Sequence, residues 1–292
     1  MSLFSSPYVE ALQSFYNAIG TRYNDLTGSF HGESAQRLVS AAGSAIKTGS
    51  WVLDLATGTG NVAFEAASKV GTTGRVLGID ISDEFLGLAS RAANRLGVGE
   101  FVDFLQRDVG HLALPEPYAG KRCFDAVTCG SAIAMFPFPA TVLAVAATEL
   151  LKPGGVLVAD MHGIHVPAKV FLDVAVPRGF QAPIDPVWLS DPEAGFRRIF
   201  EDSMFELKAL TTINMCSEPK WDVSTTAATE KLWESIVVNS IWVSFGVDKL
   251  DPESIAGIKQ AWIEKLEDYK GSDGFIVAEM KQYLAVAILK VE

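Results

Sequence analysis

Residues 51–160 show a repeating order of short apolar runs and longer segments of helical composition. The apolar runs have the length of strands and lie at 51–55, 75–80, 101–106, 124–128 and 156–159. The intervening segments predicted as helices are 61–70, 83–96 and 139–151. Strands that alternate with helices of this length indicate βαβ units, and therefore an α/β fold with a parallel sheet.

The flanks of this repeat have weaker patterns. Residues 7–47 are predicted to be helical around an irregular break at 28–32, and residues 163–200 show little periodicity. The remaining elements are predicted as a strand at 205–215, helices at 225–245 and 252–269, and a final alternating strand at 283–291. One domain enlarged by a helical cap and by an insertion after the fifth strand is the simplest interpretation.

Composition excludes several classes of protein. The chain has 292 residues, with 24 Lys and Arg against 35 Asp and Glu, and a net charge of −11. An acidic chain is a poor partner for nucleic acid, because neutralising phosphates needs basic side chains. Only three cysteines are present, no apolar run reaches the roughly 20 residues of a membrane span, and the start lacks a signal-peptide pattern. We therefore expect a cytoplasmic protein without a membrane or nucleic-acid partner.

The segment from Asp54 to Asn61 joins the first predicted strand to its helix. Gly58 and Gly60 let the backbone turn tightly and let a ligand approach closely. Asp80 ends the second strand, where a carboxylate is suited to two vicinal ribose hydroxyls. A nucleoside-containing ligand is therefore expected at the carboxyl ends of these strands.

Two ligands compete for this place. The spacing Gly-x-Gly-x-x-Ala over residues 58–63 satisfies the dinucleotide pattern, which would indicate an NAD-dependent oxidoreductase. However, Asp54 would repel a pyrophosphate, whereas it can face an ammonium group. Asp108 follows the third strand and can accept a hydrogen bond from an adenine amino group. These acids favour S-adenosylmethionine.

Several segments together resemble the class I S-adenosylmethionine-dependent methyltransferase family, in its small-molecule branch of quinone-biosynthesis and trans-aconitate methyltransferases. The segments that carry the resemblance are 52–60, 78–82, 108–109, 124–127 and 151–155, with 22–25 in the place of a Tyr-Asp-like element before the core. The resemblance implies a Rossmann-like, seven-stranded, mostly parallel sheet with helices on both faces and an antiparallel last strand. One departure is Ala56, where many members have glycine.

The resemblance also implies a set of residues that binds S-adenosylmethionine. In this set Asp54 and the glycine loop hold the methionine moiety, Asp80 holds the ribose, and the acid after the third strand meets the adenine. The full set is Tyr23, Asp54, Ala56, Gly58, Gly60, Asp80, Ile81, Asp108, Val109, Cys129, Gly130 and Ser131. Tyr23 and Tyr16 lie seven residues apart on one predicted helix face, where they either close over the methionine carboxylate or simply pack.

The candidate catalytic residues are His162 and His165, which follow the fifth strand. Histidine is suited to proton transfer near neutral pH, so either could act as a general base or orient the substrate. The alternative is that they are loop histidines that face solvent or cap a helix. A metal site is not expected, because Asp160 is the only carboxylate companion in that segment. His31, in the Gly-flanked break of the cap, is expected in a solvent-exposed loop, and the alternative is that it reaches the site.

The same resemblance divides the single predicted domain into four parts. They are an N-terminal helical cap at 1–48, a cofactor-binding core at 49–162, lid and substrate insertions with the sixth strand at 163–275, and the final strand at 276–292. Aromatic residues within 133–138 and 180–196 are expected to line an apolar pocket, and Trp233 and Trp242 to belong to a buried helix face.

The predicted activity is methyl transfer from S-adenosylmethionine, by in-line displacement, to a small apolar or aromatic metabolite. Oxygen is the first expected acceptor atom, and carbon or nitrogen is the nearest alternative. Two different functions stay open at this point: a protein of this fold that binds the cofactor without transferring a methyl group, and the NAD-dependent oxidoreductase. The only partner expected is the small-molecule substrate, and the protein could be a monomer or a homodimer.

Overall fold

A computed structural model describes residues 6–23, 30–119, 122–163, 166–182, 184–215, 218–238 and 247–291. Two compact units divide the chain. The first comprises Met1–Met161, Glu193–Thr212 and Tyr283–Glu292, and the second comprises His162–Pro192 and Ile213–Gln282. The division into one domain with four parts stays a prediction.

Five strands in the first part of the chain form a parallel sheet. They are β1 (Trp51–Leu55), β2 (Arg75–Asp80), β3 (Val102–Gln106), β4 (Phe124–Cys129) and β5 (Leu151–His162). Each of the neighbouring pairs β3–β2, β2–β1, β1–β4 and β4–β5 is parallel. The direction of the strand order reverses between β1 and β4, which is the place where open α/β sheets bind ligands.

Two later strands, β6 (Phe205–Asn214) and β9 (Lys281–Leu289), complete a seven-stranded sheet. Its strand order is β3-β2-β1-β4-β5-β9-β6. The Gly163 N–H, just after β5, donates to the Lys281 carbonyl at the start of β9, and the Lys290 N–H, just after β9, donates to the Met204 carbonyl before β6. The last strand is therefore antiparallel to both neighbours, which confirms the predicted Rossmann-like sheet.

Helices α3 (Asn61–Val70) and α4 (Asp83–Leu96) have the predicted bounds because their ends are marked by local chemistry. The Ser82 hydroxyl accepts a hydrogen bond from the Phe85 N–H at the start of α4, and Gly97 ends that helix in the left-handed conformation. The next helix, α5 (Pro139–Val145), continues as a π-helix over Ala146–Leu150.

The cap contains α1 (Pro7–Ile19) and α2 (Phe30–Ala41). The second of these begins at Phe30, inside the segment predicted to be an irregular break. Residues 28 and 29 of that break lie outside the described residues, as do Asn24 and Asp25 of the Tyr-Asp-like element.

Two other predictions need correction. The fifth strand begins at Leu151 rather than at residue 156, because Leu151 pairs with Phe124 and a register shift then lets Val156 pair with Ala126. Within its described residues, the aperiodic region 163–200 contains the α-helices α6 (Val166–Ala175), α7 (Val187–Ser190) and α8 (Pro192–Glu201). Its aromatic residues Phe180, Trp188 and Phe196 are buried.

The second unit has its own apolar core. It includes α6, α7, α9 (Thr226–Trp233), α10 (Pro252–Leu266) and an antiparallel pair of strands, β7 (Lys220–Asp222) and β8 (Phe275–Val277). The Trp233 ring packs edge-on against Trp262 and Phe171, as expected for a buried helix face. Trp242 lies outside the described residues. Within the ranges described, no helix is long and apolar enough to cross a membrane.

Candidate cofactor and substrate site

A cavity of about 1040 Å³, counting its open mouth, lies beside the glycine loop after β1. All of its lining residues belong to the first unit. They combine three buried acids with an apolar wall and a group of cap side chains, and they include Leu12, Tyr16, Tyr23, His31, Ser34, Asp54, Gly58, Asp80, Ile81, Phe85, Arg107, Asp108, Val109, Ser131, Met135 and Phe136.

Asp54, in the buried strand β1, is fixed by two hydroxyl groups. Thr57 Oγ1 donates to Asp54 Oδ2 at 2.6 Å, and Thr128 Oγ1 donates to Asp54 Oδ1 at 2.7 Å. Burial raises the pKa of the carboxyl to about 7, although both hydroxyl contacts oppose the rise. The cavity therefore holds a carboxylate that a cationic ligand group would keep ionised.

Asp80 ends β2 and is oriented by the backbone on both sides. The Gly58 N–H donates to Asp80 Oδ2 and the Ser82 N–H to Asp80 Oδ1, each at 2.8 Å. Each oxygen keeps a second lone pair, so the carboxylate can also accept two hydroxyl groups. Burial raises the pKa of Asp80 to about 6.

The glycine loop and the end of β3 complete this side of the cavity. Gly58 has a φ of +56°, and a Cβ added there would meet nothing within 4 Å, so the loop leaves open space for a ligand at this point. Asp108 is buried, and its Oδ1 accepts the Gly110 N–H at 2.8 Å. Ile81 and Val109 supply apolar surface beside it.

The cap contributes a group of aromatic rings. Tyr23 lies against Phe85 with ring centroids 4.9 Å apart, and Tyr16 lies 5.7 Å from the same ring. The Tyr23 hydroxyl and His31 Nε2 are 3.0 Å apart, and the two rings stack at 5.4 Å. His31 is thus half-buried in the first turn of α2, not in an exposed loop, because the helix begins one residue before it.

Asp160 joins the cap to the floor of the cavity. This fully buried carboxylate accepts the Ser131 N–H at 2.6 Å and the Ser34 hydroxyl of α2 at 2.5 Å. Ser131 follows β4 with a φ of +57°, in the left-handed region that favours glycine. From the sequence, Asp160 is considered only as a possible metal ligand beside His162 and His165. Its place at the end of an apolar strand, like that of Asp54 and Asp80, is the signal that could have found it.

Ten of the twelve predicted cofactor residues line this cavity, and two do not. Among the residues described, the lining omits Gly60, which forms the turn with a φ of +94°, and Cys129, a buried thiol of β4. His162 is the last residue of β5 and falls in the second unit, and His165 lies outside the described residues. The roles of all these residues stay predictions.

Comparison with known proteins decides the family. A model described as a methyltransferase domain matches residues 46–176. The chain is also 31% identical, over 172 residues, to a protein of Synechococcus elongatus named 2-phytyl-1,4-naphtoquinone methyltransferase. The aligned region is 56% of this chain and 71% of that protein. This chain belongs to the class I S-adenosylmethionine-dependent methyltransferase family. The predicted family membership is therefore confirmed, and S-adenosylmethionine is the cofactor of this chain.

Further relatives of this methyltransferase agree. A protein of Lactococcus lactis named demethylmenaquinone methyltransferase is 32% identical over 148 residues, or 50% of this chain and 56% of that protein. The solved structure of the [4+2]-cyclase SpnF superposes with a TM-score of 0.59 at 18% identity. The superposition covers 99% of this chain and 98% of the SpnF chain. At that identity the likeness shows the fold alone.

The observed cavity of the methyltransferase fits S-adenosylmethionine better than a dinucleotide. Asp54, Asp80 and Asp108 are buried acids around one space, and Asp54, next to the glycine loop, would repel a pyrophosphate. A cationic ligand with a ribose and an adenine has a complementary group for each acid. The NAD-dependent alternative therefore lacks support from both the charge of the site and the comparisons.

We expect cofactor affinity to depend on pH. The pKa values of Asp80, about 6, and Asp54, about 7, are raised, so both carboxyls take up protons as the pH falls below 7. A ligand that binds the ionised acids should lose affinity for the methyltransferase on acidification. The loss should be up to about tenfold per pH unit between pH 7 and 6, where mainly Asp54 is protonated, and up to about 100-fold per unit below pH 6, where both acids are. Calorimetric titration with S-adenosylhomocysteine from pH 8 to 5.5 measures this. A flat profile would contradict it, and Asp80→Asn should have a shallower one.

A second expectation concerns Ala56, which has a φ of +52°. Holding a residue other than glycine in the left-handed region costs roughly 1–2 kcal/mol. Glycine avoids this cost, but its greater freedom in the unfolded chain cancels about half of the gain. Ala56→Gly should therefore raise the free energy of unfolding by about 0.5–1 kcal/mol, measured by urea denaturation. Ala92→Gly, inside helix α4, is the matched control and should lower it. Destabilisation by both would refute backbone strain at Ala56.

Proposed function

We propose that the methyltransferase acts on a small aromatic acceptor that carries a hydroxyl group. The observation that supports this most directly is the apolar part of the cavity lining, which includes Leu12, Met135 and Phe136. Such a wall suits an aromatic ring better than a peptide or a nucleic acid. The names of the Synechococcus and Lactococcus relatives, which refer to naphthoquinone and menaquinone compounds, point in the same direction.

In this proposal the chain's own residues bind and orient. Asp54 and the loop from Ala56 to Gly60 hold the methionine moiety, Asp80 accepts the ribose hydroxyls, and Asp108 meets the adenine. When bound, the cofactor supplies an electrophilic methyl group on a sulfonium ion. Gly130 and Ser131 form the floor beside the reacting groups, and the apolar wall excludes water and aligns the acceptor.

Oxygen is the first proposed acceptor atom, and a ring carbon is the second. Carbon is favoured by a relative of Cellvibrio japonicus, 30% identical over 156 residues, whose name describes a ubiquinone/menaquinone biosynthesis C-methyltransferase. An ionised phenol can react through oxygen or through a ring carbon, so both reactions begin with removal of the same hydroxyl proton. His162 and His165 stay candidate bases for that step.

The test uses S-adenosylmethionine with a deuterated methyl group and a panel of naphthohydroquinones, naphthols and catechols. Mass spectrometry detects a labelled product, and NMR distinguishes a methyl ether from a ring methyl group. We expect product from hydroxylated aromatics and none from the same rings without a hydroxyl group. Transfer only to amines or aliphatic acids would contradict the proposed acceptor class while leaving the methyltransferase assignment intact.

A further inference from the structure

Tyr23 and His31 form a hydrogen-bonded pair among the side chains that line the cavity, and the charge of Asp80 also acts on Tyr23. The Tyr23 Oη and His31 Nε2 atoms are 3.0 Å apart, and the stacked rings are inclined by only 19°. Both side chains line the cavity. The packing of Tyr23 on Phe85 and the position of His31 in the first turn of α2 fix the pair from two sides.

The surroundings of the pair suit a proton acceptor. Burial lowers the pKa of His31, so the ring is neutral at pH 7 and one ring nitrogen is a hydrogen-bond acceptor rather than a donor. The negative charge of Asp160 acts in the opposite direction and raises the pKa of His31. Asp160 would therefore stabilise an imidazolium once it formed. Burial also raises the pKa of Tyr23 to about 12, so its phenol stays protonated before reaction.

We propose that Tyr23 and His31 form a proton relay that accepts the hydroxyl proton of the methyl acceptor, an inference that rests on the proposed function. The O–H bond of the acceptor breaks, and its proton moves to Tyr23 Oη as the phenol's own proton moves to His31 Nε2. The electron pair of the broken bond stays on the acceptor as the nucleophile. His31 ends as an imidazolium beside Asp160 and later releases its proton to water.

This relay differs from the role that the resemblance implies for Tyr23. If the Tyr23 hydroxyl instead donates to the carboxylate of the methionine moiety, His31 must donate its Nε2–H to Tyr23 Oη. The relay requires the opposite arrangement, in which Tyr23 donates and Nε2 accepts while Nδ1 carries the hydrogen. The two roles therefore need different tautomers of one imidazole, and the tautomer can be measured without any acceptor.

The first experiment is long-range proton–nitrogen NMR of the ¹⁵N-labelled protein bound to S-adenosylhomocysteine, at about pH 7.5. His31→Gln assigns the ring signals. We expect a neutral ring with hydrogen on Nδ1, and a change of the Nε2 shift in Tyr23→Phe. A ring with hydrogen on Nε2, or an imidazolium at this pH, would overturn the relay whatever the acceptor proves to be.

The second experiment measures turnover on the aromatic panel. His31→Gln should lower kcat by about 100-fold, the usual size of a lost proton transfer, with the Kd for S-adenosylhomocysteine changed by less than about twofold. Tyr23→Phe should also lower kcat. His111→Gln and Tyr269→Phe remove exposed rings of the same types and should leave turnover unchanged.

The outcomes separate the two proposals. Unchanged turnover in His31→Gln, or a loss found in His162→Ala instead, would overturn the relay and leave the proposed function standing. If the wild type methylates none of the hydroxylated aromatics, the proposed function fails, and the tautomer of His31 still decides whether the pair is arranged to accept a proton.

Discussion

Replacing Asp80 with alanine should weaken the binding of S-adenosylhomocysteine by roughly five- to 150-fold, or about 1–3 kcal/mol, the size of a lost charged hydrogen bond. Asp80 is buried, and the Gly58 and Ser82 N–H groups hold its two oxygens in a fixed orientation for the ribose hydroxyls proposed to bind there. The variant also leaves those two donors without their carboxylate. Calorimetric titration at pH 8, where the wild-type carboxyl is ionised, measures the effect.

Two further variants make the Asp80 result specific. Asp80→Asn keeps one oxygen acceptor and should lose less affinity than the alanine variant. Asp268→Ala removes an exposed carboxylate that pairs with Lys265, and it should bind like the wild type. Equal affinity of the wild type and Asp80→Ala would mean that the cofactor does not use this end of β2, and the whole placement of the site would be wrong.

Replacing Asp160 with alanine should lower the free energy of unfolding by about 2–5 kcal/mol. The fully buried carboxylate accepts hydrogen bonds from Ser131 and Ser34, and each buried donor that loses its partner costs roughly 1–3 kcal/mol. Urea denaturation followed by circular dichroism gives the change in midpoint and free energy. We also expect weaker cofactor binding, because Ser131 is held in its left-handed conformation at the cavity floor.

The control for Asp160 is a surface carboxylate. Asp173→Ala removes an exposed ion pair with Lys169, and such pairs contribute about 0–1 kcal/mol. Asp160→Asn retains an acceptor for one of the two donors and should lie between the alanine variant and the wild type. A loss for Asp160→Ala no larger than that of Asp173→Ala would show that the cap and the floor are held together by other contacts.

The central α/β pattern could be predicted because its signals are local. Apolar runs with the length of strands, Ser82 before α4 and glycine after α3 and α4 fix element type and bounds without knowledge of distant residues. The acids at strand ends could be predicted as a group for a related reason. The carboxyl ends of parallel strands meet at one edge of a sheet, so Asp54 and Asp80 are brought to the same cavity by topology alone.

Predictions failed where structure depends on partners far along the chain. The fifth strand begins at Leu151 because Leu151 pairs with Phe124 of β4. From the sequence the strand is expected later, since the Lys-Pro-Gly-Gly segment after Leu151 has the composition of a turn. The aperiodic region after β5 contains helices whose burial comes from tertiary packing rather than from a regular apolar stripe. Its aromatic residues Phe180, Trp188 and Phe196 are buried, and the substrate pocket that some of them are expected to line stays a prediction.

By itself the sequence determined the Rossmann-like sheet, the glycine loop and the acids that favour a cationic nucleoside cofactor, since each follows from a short motif. Only the tertiary structure placed His31 against Tyr23 and joined Ser34 and Ser131 through Asp160. Ser34 and Asp160 are 126 residues apart, and no periodicity relates them. The cap helices bury apolar side chains such as Leu12 and Leu38 where α1 packs against α4 and α2 against α3, and that packing determines which polar groups of the cap and the core meet.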